Sequence, residues 1–186
     1  MATTHFILSD EEEKMVLEVM EKVRRQQYTP ERLCRMQNIL DAQYYYWWMN
    51  DMKKEEYGLD LYTKDFTSYC SGYGDLNCTP LEQCRNAKYC NQFLNTMHMG
   101  HQPMIWLIDD THARGIFLFE SHMTYQDDPE EILQQFCIYC NDFLMEDDGV
   151  WRISAYRLIF RKQCGELHSN IINPPKGYQF ENWETK

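Results

Sequence analysis

The sequence lacks the features of a membrane or secreted protein. No segment approaches the roughly 20 continuous apolar residues that a membrane-spanning helix needs. The first residues, MATTHFILSDEEEK, contain neither the basic region nor the apolar stretch of a secretory signal peptide. The sequence therefore predicts a cytoplasmic protein, in which the eight cysteines are expected to be reduced thiols.

Short catalytic motifs are also missing. The chain has no Gly-x-Gly-x-x-Gly, no Walker loop, no Gly-x-Ser-x-Gly and no His-Glu-x-x-His. Histidines and carboxylates do not occur at metal-ligand spacing, so neither a metal ion nor a cofactor is expected. Basic residues are scarce, since 18 Lys and Arg stand against 29 Asp and Glu and give a net charge of −11. This charge disfavours contact with phosphate backbones, and nucleic acid is not an expected partner.

Aromatic residues, in contrast, are abundant. Five Trp, thirteen Tyr and nine Phe make up 15% of the 186 residues, which is more than a small core requires. They are densest in the run QYYYWWMND, residues 43–51. Helical spacing assigns Tyr44 and Trp47 to a buried stripe and Tyr45 and Trp48 to the neighbouring face. That second face is consistent with an apolar pocket, a broad buried surface or an oligomer contact.

The hydrophobic pattern changes period along the chain. Ser9 with Glu12 and Thr29 with Pro30 predict the starts of two helices, and the second helix ends before Gly58, with a short helical segment following. A strand at 66–71 and a helix at 79–94 come next. Alternating residues then predict strands at 97–108, 113–125, 131–145 and 150–164. The predicted fold class is α+β, with N-terminal helices packed on a curved antiparallel sheet.

Two pairs of residues lie three apart on predicted strands. Cys137 and Cys140 should therefore point to opposite faces, where they act as separate thiols. His98 and His101 should also point to opposite faces, unless Gly100 forms a bulge. Only one of these histidines is then expected in a pocket, as a proton-transfer group or as a structural residue.

The stretch His98-Met99-Gly100-His101-x-Pro103 and the order of helices and strands resemble the SnoaL-like family of the nuclear-transport-factor-2-like superfamily. The resemblance is to bile-acid 7α-dehydratase and, more distantly, to scytalone dehydratase, over roughly residues 30–164. It implies a cystatin-like cone, in which a curved sheet wraps around helices and leaves a deep pocket. It divides the chain into a helical extension (1–28), a cone domain (29–164) and a tail (165–186) that packs on the domain or on a neighbouring subunit. The resemblance also implies a homotrimer in preference to a dimer.

The resemblance also implies an activity and a site. His98 would be the base, and Tyr45 and Tyr69 the hydrogen-bond donors, in a dehydration or isomerisation next to a carbonyl of a steroid or polycyclic polyketide. These three side chains are expected to converge in one cavity lined by Trp and Phe. The other expected substrate-binding positions are Asn50, Ser121, Trp48, Met123 and Phe119.

Two acidic positions of the family are not matched. They fall on Asn50 and Ser121, with Asp51 and Glu120 beside them, while Met123, next to His122, stands at a second pocket histidine. A shift of one residue turns a strand side chain to the other face, so the sequence does not decide whether these neighbours substitute. The alternatives are a non-catalytic protein that binds an apolar ligand in the same fold, or a structural subunit like the small subunit of ring-hydroxylating dioxygenases.

Overall fold

The computed structural model describes residues 2–72, 74–172, 174–180 and 183. Residues 173, 181–182 and 184–186, which belong to the predicted tail, lie outside the described residues, as does residue 73. The helices are α1 (Asp10–Arg25), α2 (Pro30–Asp51), a 3₁₀ helix (Glu55–Asp60), α3 (Pro80–Asn91) and α4 (Ser169–Ile172). The strands are β1 (Thr3–His5), β2 (Tyr62–Cys70), β3 (Gly74–Asp75), β4 (Leu94–Leu107), β5 (His112–Tyr125), β6 (Ile132–Met145) and β7 (Trp151–Cys164).

Local signals in the sequence set the ends of the longer helices. Ser9 and Glu12 form the expected capping box at the start of α1, with each side chain bonded to the other residue's backbone N–H. The Thr29 hydroxyl caps α2, and Pro30 occupies its first turn. The four predicted long strands are confirmed within three residues of their expected bounds.

Seven strands in the described part of the chain form one sheet, in the order β3-β2-β7-β6-β5-β4, with β1 paired to the end of β7. The strands from β4 to β7 make the expected antiparallel meander. β2 runs parallel to β7, so the sheet is mixed rather than purely antiparallel. The α+β class with a curved, open sheet is confirmed.

The two faces of the sheet carry different helices. On the inner face, α2 packs into a cluster that includes Trp47, Phe117 and Cys137. On the outer face, Val19 of α1 is buried against a second cluster that contains Cys140. The two cysteines therefore point to opposite sides, as predicted, and both are free thiols. Burial raises the pKa of the Cys140 thiol to about 11, which keeps it protonated and unreactive.

Trp47 fixes α2 on the inner face. Its ring stacks on Phe119 with 5.8 Å between centroids and meets Phe117 edge-on at 5.7 Å. A Cβ atom added to Gly100 would lie 1.9 Å from Cη2 of Trp47, so only glycine fits opposite this ring. The register of β4 with β5 is regular from Leu94 to His101 and shifts only after that, between His101 and Met104.

The described part of the tail packs on its own chain. The Tyr125 hydroxyl donates a 2.6 Å hydrogen bond to the carbonyl oxygen of Glu166, and its ring stacks on His168. Further along, Tyr178 meets Tyr89 of α3 edge-on at 4.8 Å. None of the described helices is both long and apolar enough to span a bilayer.

Substituting Gly100→Ala should destabilise the fold by about 1–3 kcal/mol, because the new methyl group overlaps the Trp47 ring. Urea denaturation followed by circular dichroism measures the loss. In a Trp47→Phe background, the shorter phenyl group lacks the outer indole atoms that overlap the new methyl group. Gly100→Ala should therefore lower the free energy of unfolding by less in this background. Equal costs in the two backgrounds would contradict the assigned contact.

Candidate functional site

His98 and Asp51 form a hydrogen-bonded pair where the end of α2 meets the beginning of β4. The Nδ1 atom of His98 lies 2.5 Å from Oδ1 of Asp51. The backbone N–H of His98 donates to Oδ2 of the same carboxylate at 2.8 Å. Both carboxylate oxygens thus contact one residue, which fixes the imidazole ring in place.

The pairing determines which imidazole nitrogen can act as a base. Burial alone would raise the pKa of Asp51, but the hydrogen bonds and charge interaction with His98 outweigh it and lower the pKa below its usual value. An ionised carboxylate only accepts hydrogen bonds, so Nδ1 of His98 carries the proton. The described residues place no hydrogen-bond partner on Nε2 of His98. In this tautomer the free lone pair of the imidazole is on Nε2.

The rest of the pair's surroundings is mainly apolar. The His98 ring lies 5.3 Å from the ring of Phe119, and only 13% of its side chain is exposed. Ser121 is directly opposite His98 in the strand register, is buried, and contacts Gln135 at 3.4 Å. Ser121 therefore lies beside the histidine, and its hydroxyl donates to Gln135.

Lys53 lies near the pair on the helix side. Its ammonium group donates a 3.0 Å hydrogen bond to the hydroxyl of Thr96, which is two residues before His98 on the same face of β4. Burial is the largest influence on the pKa of Lys53 and lowers it. Lys53 has a φ of 58°, a left-handed conformation that normally favours glycine at a helix end.

Asn50 is not a pocket residue. It is buried and donates to the carbonyl oxygen of Tyr46 at 2.7 Å, while its own oxygen accepts from Asn91 at 3.1 Å. Asn91 also donates to the buried carboxylate of Glu55 at 2.6 Å. The expected ligand role of Asn50 is wrong for this structure, since a core network occupies its amide.

The charged neighbours on β5 face away from His98. Glu120 lies 3.3 Å from Nε2 of His122 and 3.8 Å from Nε2 of His101, in a half-exposed cluster. The residues on either side of Glu120, Phe119 and Ser121, are buried and point inward. On this strand a shift of one residue does reverse the side chain, so Glu120 cannot take the place of the missing acid.

The expected convergence of Tyr45 and Tyr69 with His98 is wrong. The Tyr69 hydroxyl donates to Glu12 of α1 at 3.0 Å, and α1 covers the outer face of the sheet. Tyr45 is 47% exposed and lines a separate cleft that does not include His98. Each helical residue turns about 100°, so Tyr45 points outward where Tyr46 and Trp47 point inward.

Two of the other expected binding residues also lie elsewhere. Trp48 is 67% exposed, on the outward side of α2. Met123 is buried in a small cluster with Leu94 and Tyr125, two residues beyond Ser121 on β5. Phe119 is the expected lining residue that does contact the histidine ring.

A group of four buried tyrosines fills the interior and was missed by sequence reasoning. Tyr46 makes edge contacts with Tyr62, Tyr139 and Tyr156, at centroid distances of 5.8–6.5 Å. Burial raises the pKa of each phenol, so their hydroxyls stay protonated. Tyr139 meets Phe119 at 4.7 Å, and Phe119 separates it from His98. The tyrosines therefore pack against the far side of Phe119 and do not contact His98.

No group of three or more His, Cys, Asp or Glu side chains among the described residues has the geometry of a metal site. The fold and the pair together define an α+β cone protein with a carboxylate-oriented histidine on its inner face. The SnoaL-like domain model matches residues 31–157, and the chain belongs to this family.

Solved structures with the same fold are remote in sequence. A scytalone dehydratase-like protein from Novosphingobium aromaticivorans has a TM-score of 0.66 and 17% identity, covering 80% of this chain and 97% of its own. The hexachlorocyclohexane dehydrochlorinase LinA-type3 from Novosphingobium barchaimii has a TM-score of 0.62 and 16% identity, with 77% and 97% covered. A LinA type 2 dehydrochlorinase has a TM-score of 0.62 and 17% identity, with 79% and 97% covered. A search of curated proteins found no match.

Substituting Asp51→Asn should release the tautomer of His98, because an amide can either donate to or accept from Nδ1. Nitrogen NMR of the imidazole is expected to show a protonated Nδ1 in the wild type and a mixture of tautomers in the variant. The exposed His101 serves as the internal control, and its signals should not change. A His98 spectrum that is insensitive to the substitution would contradict the pairing.

Proposed function

We propose that the protein is a SnoaL-like lyase in which His98, oriented by Asp51, removes a proton next to a carbonyl group of an apolar cyclic substrate. The observation that carries this proposal is the bond between Nδ1 of His98 and the Asp51 carboxylate, which leaves Nε2 as a base. The missing family carboxylates argued against catalysis. Asp51 supplies one, displaced by one residue along the helix.

The proposed reaction is the elimination of water. Nε2 of His98 takes the proton on the carbon next to the carbonyl, and the electrons of that C–H bond move to give an enolate. Collapse of the enolate forms the new C=C bond and breaks the C–O bond to the leaving hydroxyl. The imidazolium returns its proton to that hydroxyl, so water departs and His98 is regenerated. Asp51 stabilises the transient positive charge on the ring.

We assign the enolate oxygen to Lys53 instead of Tyr45 or Tyr69. The ammonium group of Lys53 donates to Thr96 on the inner face of β4, next to the His98–Asp51 pair. Tyr69 instead bonds to Glu12 of α1, and Tyr45 lines the separate cleft. A fixed positive charge near a developing oxyanion is worth more at a partly buried position than in water. The strained conformation of Lys53 is consistent with a side chain kept there for function.

The substrate class follows from the apolar surroundings and the family. Phe119 packs beside His98, and Trp47 stacks behind it. These rings favour a flat hydrophobic molecule such as a steroid or a polycyclic polyketide. We keep a non-catalytic protein that binds such a ligand as the second candidate, because ring packing leaves the His98 side chain only 13% exposed.

A thermal-shift screen of sterols and hydroxylated polyketides finds ligands first. With a hit in hand, His98→Gln should lower kcat by about 10²–10⁴-fold, since the general base is lost. His101→Gln is the matched control, because that histidine belongs to the same motif but faces outward. A ligand that binds without turnover in the wild type would support the second candidate.

The substitution Lys53→Gly tests the role of the ammonium group in turnover without an expected loss of stability. Glycine adopts a φ of 58° without strain, so thermal stability should not fall. The rate of enolate formation should nevertheless drop, because the ammonium group is gone. Measurements of Tm and of kcat on the same samples test this assignment. Unchanged turnover in the glycine variant would remove Lys53 from the mechanism and leave the roles of His98 and Asp51 untouched.

A further inference from the structure

A second cleft lies apart from the His98–Asp51 pair. It measures about 1000 Å³ and opens between α2, the 3₁₀ helix and the turn that joins β6 to β7. The α2 side of the cleft is one continuous face, formed at positions 38, 41, 42 and 45. Neither His98 nor Asp51 belongs to its lining. The volume is in the range of pockets that hold small organic molecules.

Aromatic rings form much of its wall. Tyr45 comes from α2, Tyr57 from the 3₁₀ helix, Trp151 from the start of β7 and Trp183 from the tail. Four separate segments thus bring a ring to one space. The indole N–H of Trp151 is buried and has no hydrogen-bond acceptor among the described residues. A cation offers no acceptor for this donor, so the choice of ligand rests on the rings and the carboxylates of the lining.

The charged side chains of the lining all have the same sign. Asp41, Glu56 and Asp60 line the cleft, and no Lys, Arg or His is among the described lining residues. Nearby, Arg152 donates to the carbonyl oxygen of Asp60. Its guanidinium, however, already pairs with two carboxylates of the β6–β7 turn at 2.8 Å each. Three carboxylates with no basic residue in the described lining give the cleft a net negative charge.

The ionisation of Tyr45 is consistent with that charge. Burial raises the pKa of its phenol, and neighbouring Tyr57 and Asp60 raise it further. A negative field opposes the phenolate form, so the ring stays neutral and keeps its electron-rich face. Such faces attract cations, most strongly where carboxylates stand beside them.

We propose that this cleft binds a small organic cation: an ammonium or quaternary ammonium group carried on an apolar body. The rings would contact both the cation and the apolar body, while the carboxylates supply charge complementarity. An anion would meet three like charges. A bare metal ion would need converging oxygen ligands, and the described residues form no such group. The site is independent of the proposed lyase activity.

Isothermal titration calorimetry of the full chain tests the proposal with three probes of similar size. Benzyltrimethylammonium should bind saturably, benzyl alcohol more weakly, and benzenesulfonate not at all. The triple variant Asp41→Asn, Glu56→Gln, Asp60→Asn should weaken binding of the cation at least about tenfold. Its affinity for benzyl alcohol should not change. Equal affinity for the cation and the alcohol in the wild type would overturn the proposal.

Two matched controls separate the cleft from general effects. The variant Glu11→Gln, Asp127→Asn, Glu130→Gln removes the same charge from exposed positions outside the lining and should bind like the wild type. If it weakens binding as much as the cleft variant, bulk charge explains the result and the proposal fails.

For the aromatic wall, Tyr45→Leu should weaken binding of the cation, whereas Tyr44→Leu, at the neighbouring exposed residue outside the lining, should not. Equal effects of the two substitutions would also overturn the assignment. The His98→Gln variant should bind the cation as tightly as the wild type, because His98 does not line the cleft. The binding test therefore gives a result whether or not the lyase proposal is correct.

Discussion

The contact between Trp47 and Gly100 sets the geometry on which the site depends. A full indole ring occupies the space where any other residue of β4 would carry a Cβ atom. This packing holds α2 against the inner face at a fixed height and rotation. Asp51 is one helical turn beyond Trp47, at the last residue of α2, and His98 is two residues before Gly100 on the same face of β4. The packing of the Trp47 ring therefore places the Asp51 carboxylate within hydrogen-bond distance of His98. A contact in the core thus determines the geometry of the candidate site.

The elements that the sequence predicts well are those governed by local physics. Side-chain caps define the starts of α1, α2 and α3, and strict alternation defines the four strands of the meander. Pairing between distant segments carries no comparable local signal. β1 has three residues and pairs with Cys164 and its neighbours at the far end of the chain. The parallel pairing of β2 with β7 also joins segments that only the folded chain brings together.

The candidate site was predictable in part for the same reason. Alternation of faces along a strand limits the pocket to one of His98 and His101, and the family resemblance selects His98. The partner acid could not be chosen, because a one-residue displacement has different consequences on a strand and on a helix. On β5 it turns Glu120 by half a revolution, to the side away from His98. At the end of α2 a displacement of one residue rotates the side chain by about 100°. Asp51 there still reaches His98 of β4. Asn50 is meanwhile available for the core network with Asn91.

The same rotation explains where the excess of aromatic residues goes. A run of five rings on one helix must present some of them outward, since 100° per residue leaves no single face wide enough. Tyr46 and Trp47 fill the interior and exclude water from behind the pair, while Tyr45 and Trp48 remain on the far side of the helix. Of these two outward rings, Tyr45 lines the acidic cleft together with Asp41, one helical turn earlier. α2 therefore separates two environments of opposite character: a mainly apolar interior in which Asp51 is paired with His98, and an open cleft lined by three carboxylates and, among the described residues, by no basic side chain. A neutral flat molecule suits the first and a cation the second, so one ligand is not expected to satisfy both.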